Sequence, residues 1–327
     1  MTKNFGRRSF LKKSIGAALA GPLVMSLEER ALLAQTASPA SPKFPVKQGT
    51  MPSGKIGRVN VGRLICGGNL IGGFAHSRDL TYVSPLLKHY FTDEKIMETW
   101  ALCEEHGVNT MVASFSSPHS AEVYRKYAKL GGKIQYIAQI NPDENNLDTV
   151  VSQAADSGAV GAFLLGNIGD LWVRQGHIAR VGALIDVIKE HGLIAGVAGH
   201  ELRTPHEIEK AGIQPDFYVK TLHTANYWSH QRPDQTKEVI DNYATDNYWC
   251  REPKETIEFM ATVKRPWIAY KVLAAGAIRP REGFQYAFAN GADFALVGMF
   301  DFQVREDVEI ATAIIAQQQK RARAWIA

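Results

Sequence analysis

From residue 55 onward, short apolar runs alternate with amphipathic segments of helical length. The runs at 61–67, 108–114, 134–140, 160–166, 193–199, 216–222, 267–273 and 293–299 read as buried strands. The segments at 94–106, 119–130, 146–156, 178–191, 204–211, 253–263, 281–290 and 304–324 read as helices. Several helices end in glycine just before the next strand, as in His106-Gly107, Ser157-Gly158, His191-Gly192 and Asn290-Gly291. Glycine there accepts the left-handed backbone that stops a helix. Eight strand–helix units in succession predict an α/β chain, a (β/α)8 TIM barrel with right-handed crossovers. A doubly wound open sheet is the alternative. The first strand is not followed by the Gly-x-Gly-x-x-Gly turn such sheets carry, which counts against it.

A content of 45% hydrophobic and 21% charged residues over 327 positions suits a globular chain with a sizeable core, and excludes disordered, collagenous and coiled-coil classes. The charge is uneven. Residues 1–30 hold six basic and two acidic side chains, which leaves 31 of each sign in the remainder. The body is therefore neutral and offers no basic surface for nucleic acid. The leader, Gly6-Arg7-Arg8-Ser9-Phe10-Leu11-Lys12-Lys13 followed by a weakly apolar stretch to Val24, resembles a twin-arginine signal. It predicts a signal peptide over 1–34, a linker over 35–54, and a barrel domain over 55–327. Export to the periplasm by the twin-arginine machinery follows, with no stable membrane span after cleavage. Three cysteines (Cys66, Cys103, Cys250) are too few for a disulfide framework.

Barrel chemistry sits where strands end and βα loops begin. This rule selects His200-Glu201 after the fifth strand, Lys220 and His223 around the end of the sixth, Lys271 at the seventh, and Asp301 after the eighth. His200, His223 and Asp301 are candidate ligands of a divalent metal, zinc or manganese, with Glu201 as a further ligand or a general base. Lys220 and Lys271 are expected to point into the barrel one strand apart, where mutual repulsion would lower one pKa. Two βα loops are long enough to be lids: 68–92, with His76, Arg78, Asp79, Tyr82 and Tyr90, and 224–252, with Tyr227, Trp228, His230, Tyr243, Tyr248 and Cys250.

Lys55-Ile56-Gly57-Arg58 through Cys66-Gly67-Gly68, Glu104-Glu105-His106-Gly107-Val108-Asn109-Thr110, Ile194 to His200, Tyr270 to Gly276 and Leu296-Val297-Gly298-Met299 together resemble the aldo-keto reductase superfamily. That resemblance implies a barrel and hydride transfer from NADP by an Asp, Tyr, Lys and His tetrad. Here the tetrad positions fall on Val112, about Ser117, Gln139, and Gly166 or Asn167, and the nicotinamide-holding Ser-Asn falls on His200-Glu201. Asp216 to Thr221 resembles the Schiff-base strand of deoxyribose-phosphate aldolases, which implies Lys220 as nucleophile. The leading expectation is an exported, metal-assisted lyase, isomerase or hydrolase of a small polar, sugar-derived substrate, with Lys220, Lys271 and Glu201 catalytic. A divergent NADP oxidoreductase and a Schiff-base aldolase are the alternatives.

Overall fold

The computed structural model describes residues 51–327 except 75, 78, 79, 81, 115–117, 143–145, 232–248 and 319. The expected signal, the linker as far as residue 50, Arg78, Asp79, Ser117, Tyr243 and Tyr248 lie outside the described residues.

A two-stranded antiparallel hairpin, β1 (Ser53–Ile56) and β2 (Val59–Gly62), precedes the barrel. The barrel strands are β3 (Leu64–Cys66), β4 (Thr110–Ser114), β5 (Gln135–Ile140), β6 (Gly161–Leu164), β7 (Ile194–Gly199), β8 (Phe217–Thr221), β9 (Trp267–Tyr270) and β10 (Phe294–Val297). All are parallel, and β10 pairs with β3 to close the sheet. The helices are α1 (Val83–Tyr90), α2 (Asp93–Glu105), α3 (Pro118–Lys129), α4 (Leu147–Asp156), α5 (Gly166–Arg174), α6 (Ile178–Glu190), α7 (Arg203–Lys210), α8 (Pro253–Thr262), α9 (Pro280–Ala289) and α10 (Asp301–Gln317). The fold is thus the expected (β/α)8 barrel, with every anticipated strand and helix found. The β1–β2 hairpin, α1 and α5 are additional. No helix among the described residues is long and apolar enough to cross a membrane.

Side chains alternate across each strand, which divides the buried residues into two layers. Ile65, Val112, Ile137, Phe163, Ile194, Ala198, Phe217, Val219, Ile268, Phe294 and Leu296 fill the barrel interior, and Ile56, Val59 and Val61 of the hairpin pack onto them from the strands' N-terminal end. Tyr218, Trp267, Ala269 and Val197 face the helices instead. This alternation corrects one expectation. Lys220 shares the outer face of β8 with Tyr218, while Thr221 shares the inner face with Phe217 and Val219. The two lysines are therefore not an inward pair.

The N-terminal end is fastened by a buried carboxylate. Asp293 accepts from the backbone N–H of Trp267 at 2.9 Å and of Ile326 at 2.8 Å, and from the Arg323 guanidinium. Arg63 stacks on Trp325 at 4.0 Å and donates to the Asp293 carbonyl at 3.0 Å. The chain after α10 is thereby tied across β9 and β10.

Asp307 on α10 is buried at 2% exposure. Burial first, and the charge of Glu306 second, push its carboxyl up to about 7. Its contribution to stability is complete below about pH 4, the unfolded value, and is lost as pH rises through about 7. Asp307→Asn should raise the melting temperature by roughly 2–6 °C at pH 8 and change it little at pH 4. Thermal melts of both proteins at the two pH values check this.

Candidate active site

The C-terminal mouth of the barrel is organised around His200, which follows β7 on its inner face. Its Nδ1–H donates to Asp170 Oδ2 at 2.8 Å, and its backbone N–H donates to the same carboxylate oxygen at 2.9 Å. Asp170 also accepts from Glu201 N at 3.2 Å and from Thr204 Oγ1 at 2.6 Å. On its other side, the His200 carbonyl accepts from Lys220 Nζ at 2.8 Å, and Lys220 donates again to Thr221 O at 3.1 Å. Both backbone polar atoms of His200 are thus held by buried charged side chains. Gly199 permits this approach: a Cβ there would lie 2.7 Å from Thr204 Cβ and 2.9 Å from Asp170 Oδ1.

The electrostatics follow from this packing. Burial pushes the His200 imidazole down to about 4, against the upward pull of Asp170. Burial works against the Asp170 charge, yet the bonds from His200 and Thr204 hold its carboxyl below the usual range. At neutral pH the pair is a carboxylate and a neutral imidazole protonated on Nδ1, which leaves Nε2 the basic atom. Burial also lowers the Lys220 pKa, against the opposing charges of Cys250 and Asp170.

Tyr270 stands beside His200 on the neighbouring interior face, with ring centroids 5.2 Å apart. A Cβ on Gly166 would lie 2.5 Å from Tyr270 Oη and 2.6 Å from His200 Cε1, so the phenol and the imidazole edge converge over that glycine. Thr221 pairs in register with Tyr270, and its buried Oγ1 has no hydrogen-bond partner among the described residues. Lys271, with left-handed backbone at φ 59°, places Nζ 5.8 Å from the Tyr270 ring centroid.

The expected metal set is not assembled. His223 uses both ring nitrogens on backbone: Nδ1–H donates to Thr224 O at 3.0 Å, and Nε2 accepts from Cys250 N at 2.9 Å. Asp301, the first residue of α10, accepts from Tyr90 Oη and from Lys95 Nζ, the latter at 3.0 Å. Glu201 turns outward to Arg174 at 3.0 Å. Among the described residues no group of three or more His, Cys, Asp and Glu side chains is placed to hold a metal ion. These donors do not fit the zinc or manganese site expected from strand-end positions. His223 instead pins the end of the long loop after β8, and the buried Cys250 bonds there through Sγ to Thr221 O at 3.5 Å.

Asp170, Thr204, Thr221 and Tyr270 escaped the sequence reading. Asp170 lies in α5, whose Ile168, Leu171 and Trp172 follow helical spacing directly after a strand. Thr221 and Tyr270 required the interior face to be assigned before the strand-end residues were chosen.

No protein-family model matches the chain, and no curated protein matches its sequence significantly. Among solved structures, it is similar to a provisionally named aldo-keto reductase from Pseudomonas aeruginosa, with a TM-score of 0.57 at 15% identity over 84% of this chain and 99% of that one. A second structure so described, from the same organism, gives 0.55 at 15% identity over 83% and 98%. A DAHP synthase from Thermotoga maritima gives 0.49 at 12% identity over 83% and 75%. At these identities the likeness is one of fold alone, the (β/α)8 barrel.

Burial also pushes His223 down to about 4. Both histidines thus have folded pKa values below the unfolded value near 6.5, so unfolding takes up protons. Their contribution to stability is present above about pH 6.5 and is lost as pH falls toward 4. The loss should be about 2–3 kcal/mol per histidine by pH 4.5. Urea unfolding of wild type and His223→Asn at pH 7 and 4.5 checks this: the variant should lose less stability between the two.

Proposed function

We propose that this chain is an exported barrel enzyme of the isomerase or lyase class, moving a proton at a small, polar carbonyl substrate. The observation carrying the proposal is the buried Asp170–His200 pair at the barrel mouth, converging with Tyr270 over Gly166. His200 Nε2 takes a proton from the carbon beside a carbonyl, and Tyr270 Oη donates a hydrogen bond to the carbonyl oxygen as negative charge grows there. Asp170 is a positioning residue that fixes the tautomer and stabilises the imidazolium as it forms. Where the deprotonated carbon bears a hydroxyl, return of the proton to the former carbonyl carbon, with the hydroxyl proton passing to the oxyanion, gives isomerisation. Departure of a leaving group with its electron pair from the carbon on the far side of the deprotonated one gives elimination. An imidazole near pKa 4 is a weak base, so stabilising the developing oxyanion is the larger part of the work.

Metal assistance is not part of this reading, because its expected donors are committed elsewhere. A nicotinamide does not fit the residues present either. Val112 is a buried apolar side chain at the aspartate position, and His200 and Glu201 are tied to Asp170 and Arg174 where Ser-Asn would hold the ring. Lys220 faces the helical layer at 2% exposure, which removes the geometric support for a Schiff base through it. Its role here is to hold the His200 carbonyl.

The test is solvent hydrogen exchange. Wild-type protein in D2O, followed by proton NMR against small hydroxyaldehydes, hydroxyketones and 2-oxo acids, should exchange the proton beside the carbonyl in at least one. The rate should be level from pH 6 to 8 and fall below about pH 5 as His200 protonates. His200→Asn should reduce it about 1,000-fold, and Asp170→Asn or Tyr270→Phe about 100-fold. Exchange undiminished in His200→Asn would end the proposal. Export is supported by Arg7-Arg8 and the following weakly apolar stretch. Replacing both arginines by lysine should keep the protein out of the periplasmic fraction.

A further inference from the structure

Thr221 ends β8 on the barrel's inner face, fully buried, and its register partner across the sheet is Tyr270, the residue beside His200. Its main chain is committed to the fold. The carbonyl accepts from Lys220 Nζ at 3.1 Å and from Cys250 Sγ at 3.5 Å, and the following residue, Leu222, donates its N–H to Tyr270 O at 3.2 Å. The side chain is not so committed: Oγ1 is enclosed and has no hydrogen-bond partner among the described residues. A buried hydroxyl without a partner is less favourable than an apolar group of the same shape, and bulk water cannot reach this one to offset the cost. Val219 and Ile268, paired in register two residues before Thr221 and Tyr270, make the layer beneath them apolar.

From this partnerless hydroxyl at the floor of the mouth we infer that Thr221 is a substrate-binding residue, and that the substrate is an α-hydroxy carbonyl compound whose hydroxyl bonds to Thr221 Oγ1. Tyr270 serves the carbonyl oxygen, and Thr221, next to it across the sheet, serves the hydroxyl on the adjoining carbon. A threonine hydroxyl both donates and accepts, which matches a second uncharged hydroxyl. A carboxylate or phosphate at that depth would bury its charge against the apolar layer of Val219 and Ile268. This role rests on the proton-transfer reading for the place of the carbonyl, but hydroxyl-dependent binding can be measured without turnover.

Binding is tested by NMR titration of the whole protein at pH 7.5 with hydroxyacetone and with butanone, in which a methyl group replaces the hydroxyl. Hydroxyacetone should bind about tenfold more tightly than butanone. Thr221→Val keeps the shape and removes the hydroxyl, so it should bring the two ketones within about twofold, whereas Thr221→Ser should keep the preference. Because Oγ1 has no partner to lose, Thr221→Val should melt at or above the wild-type temperature while the preference disappears. A lower melting temperature in Thr221→Val would mean a hydroxyl already bonded in the free protein, to a trapped water or to the fold, and would overturn the inference. Equal binding of the two ketones by wild type, no binding of hydroxyacetone, or a full preference in Thr221→Val would overturn it as well. A preference that Thr221→Val abolishes, without proton exchange in any carbonyl compound, would leave the role of Thr221 standing and remove the proton-transfer reading. Exchange that runs equally in hydroxyacetone and butanone would do the reverse.

Discussion

Closing a parallel sheet on itself gives each strand residue one of two environments, and the period of two leaves no third choice. Along β8 this puts Phe217, Val219 and Thr221 inside the barrel, and Tyr218 and Lys220 among the helices. Along β9 it puts Ile268 and Tyr270 inside. The apolar interior is sealed below by the β1–β2 hairpin, so polar inward positions near the C-terminal ends of the strands are the ones that can meet a substrate. His200, Thr221 and Tyr270 occupy them. The helical layer supplies the groups that hold those side chains from behind, above all Asp170 from α5.

The two buried charges around His200 depend on one another. Asp170 binds the histidine's N–H and ring, and Lys220 binds its carbonyl, so a single residue is strung between an anion and a cation. Either charge alone in this layer would be expensive to bury. Reaching from α5 and β8 to the N–H and the carbonyl of the same residue, they offset each other, and both polar backbone atoms of His200 are engaged. The arrangement constrains the imidazole in position, tautomer and charge without any contact to a substrate, which is the preorganisation that proton transfer requires.

Much of the barrel was legible in the sequence, because strand and helix periodicities differ and glycines mark the helix ends. The strand 216–222 contains the observed Phe217–Thr221, and helix 253–263 contains Pro253–Thr262. Gly107 and Gly291 have φ of 85° and 100°, as helix-stopping glycines should. Helix α5 was missed because its nine residues lie directly against the end of β6 and merge with that apolar run. The site was legible only in part. His200 was found from its place at a strand end. Its partner Asp170 lies thirty positions away and is joined to it by tertiary packing alone. Counting strand-end residues without assigning faces put Lys220 in the interior and passed over Thr221, one residue further on.

His223 shows why residue type at a strand end does not fix a role. Like His200, it is a buried neutral imidazole at the end of a barrel strand, and both have pKa values near 4. They differ in what takes the second nitrogen. Cys250 donates its backbone N–H to His223 Nε2, so that ring is enclosed by main chain on both sides and fastens a loop. In His200 the carboxylate takes Nδ1–H, and the opposite edge of the ring turns toward Tyr270 over a glycine without side-chain bulk. A histidine bonded to backbone at both nitrogens must break a structural hydrogen bond before it can accept a proton. One bonded to a carboxylate gains a stronger interaction when it accepts one. That difference in what protonation does to existing bonds separates a structural histidine from one suited to acid–base chemistry, and it is why the proposed proton transfer is assigned to His200 and not to His223.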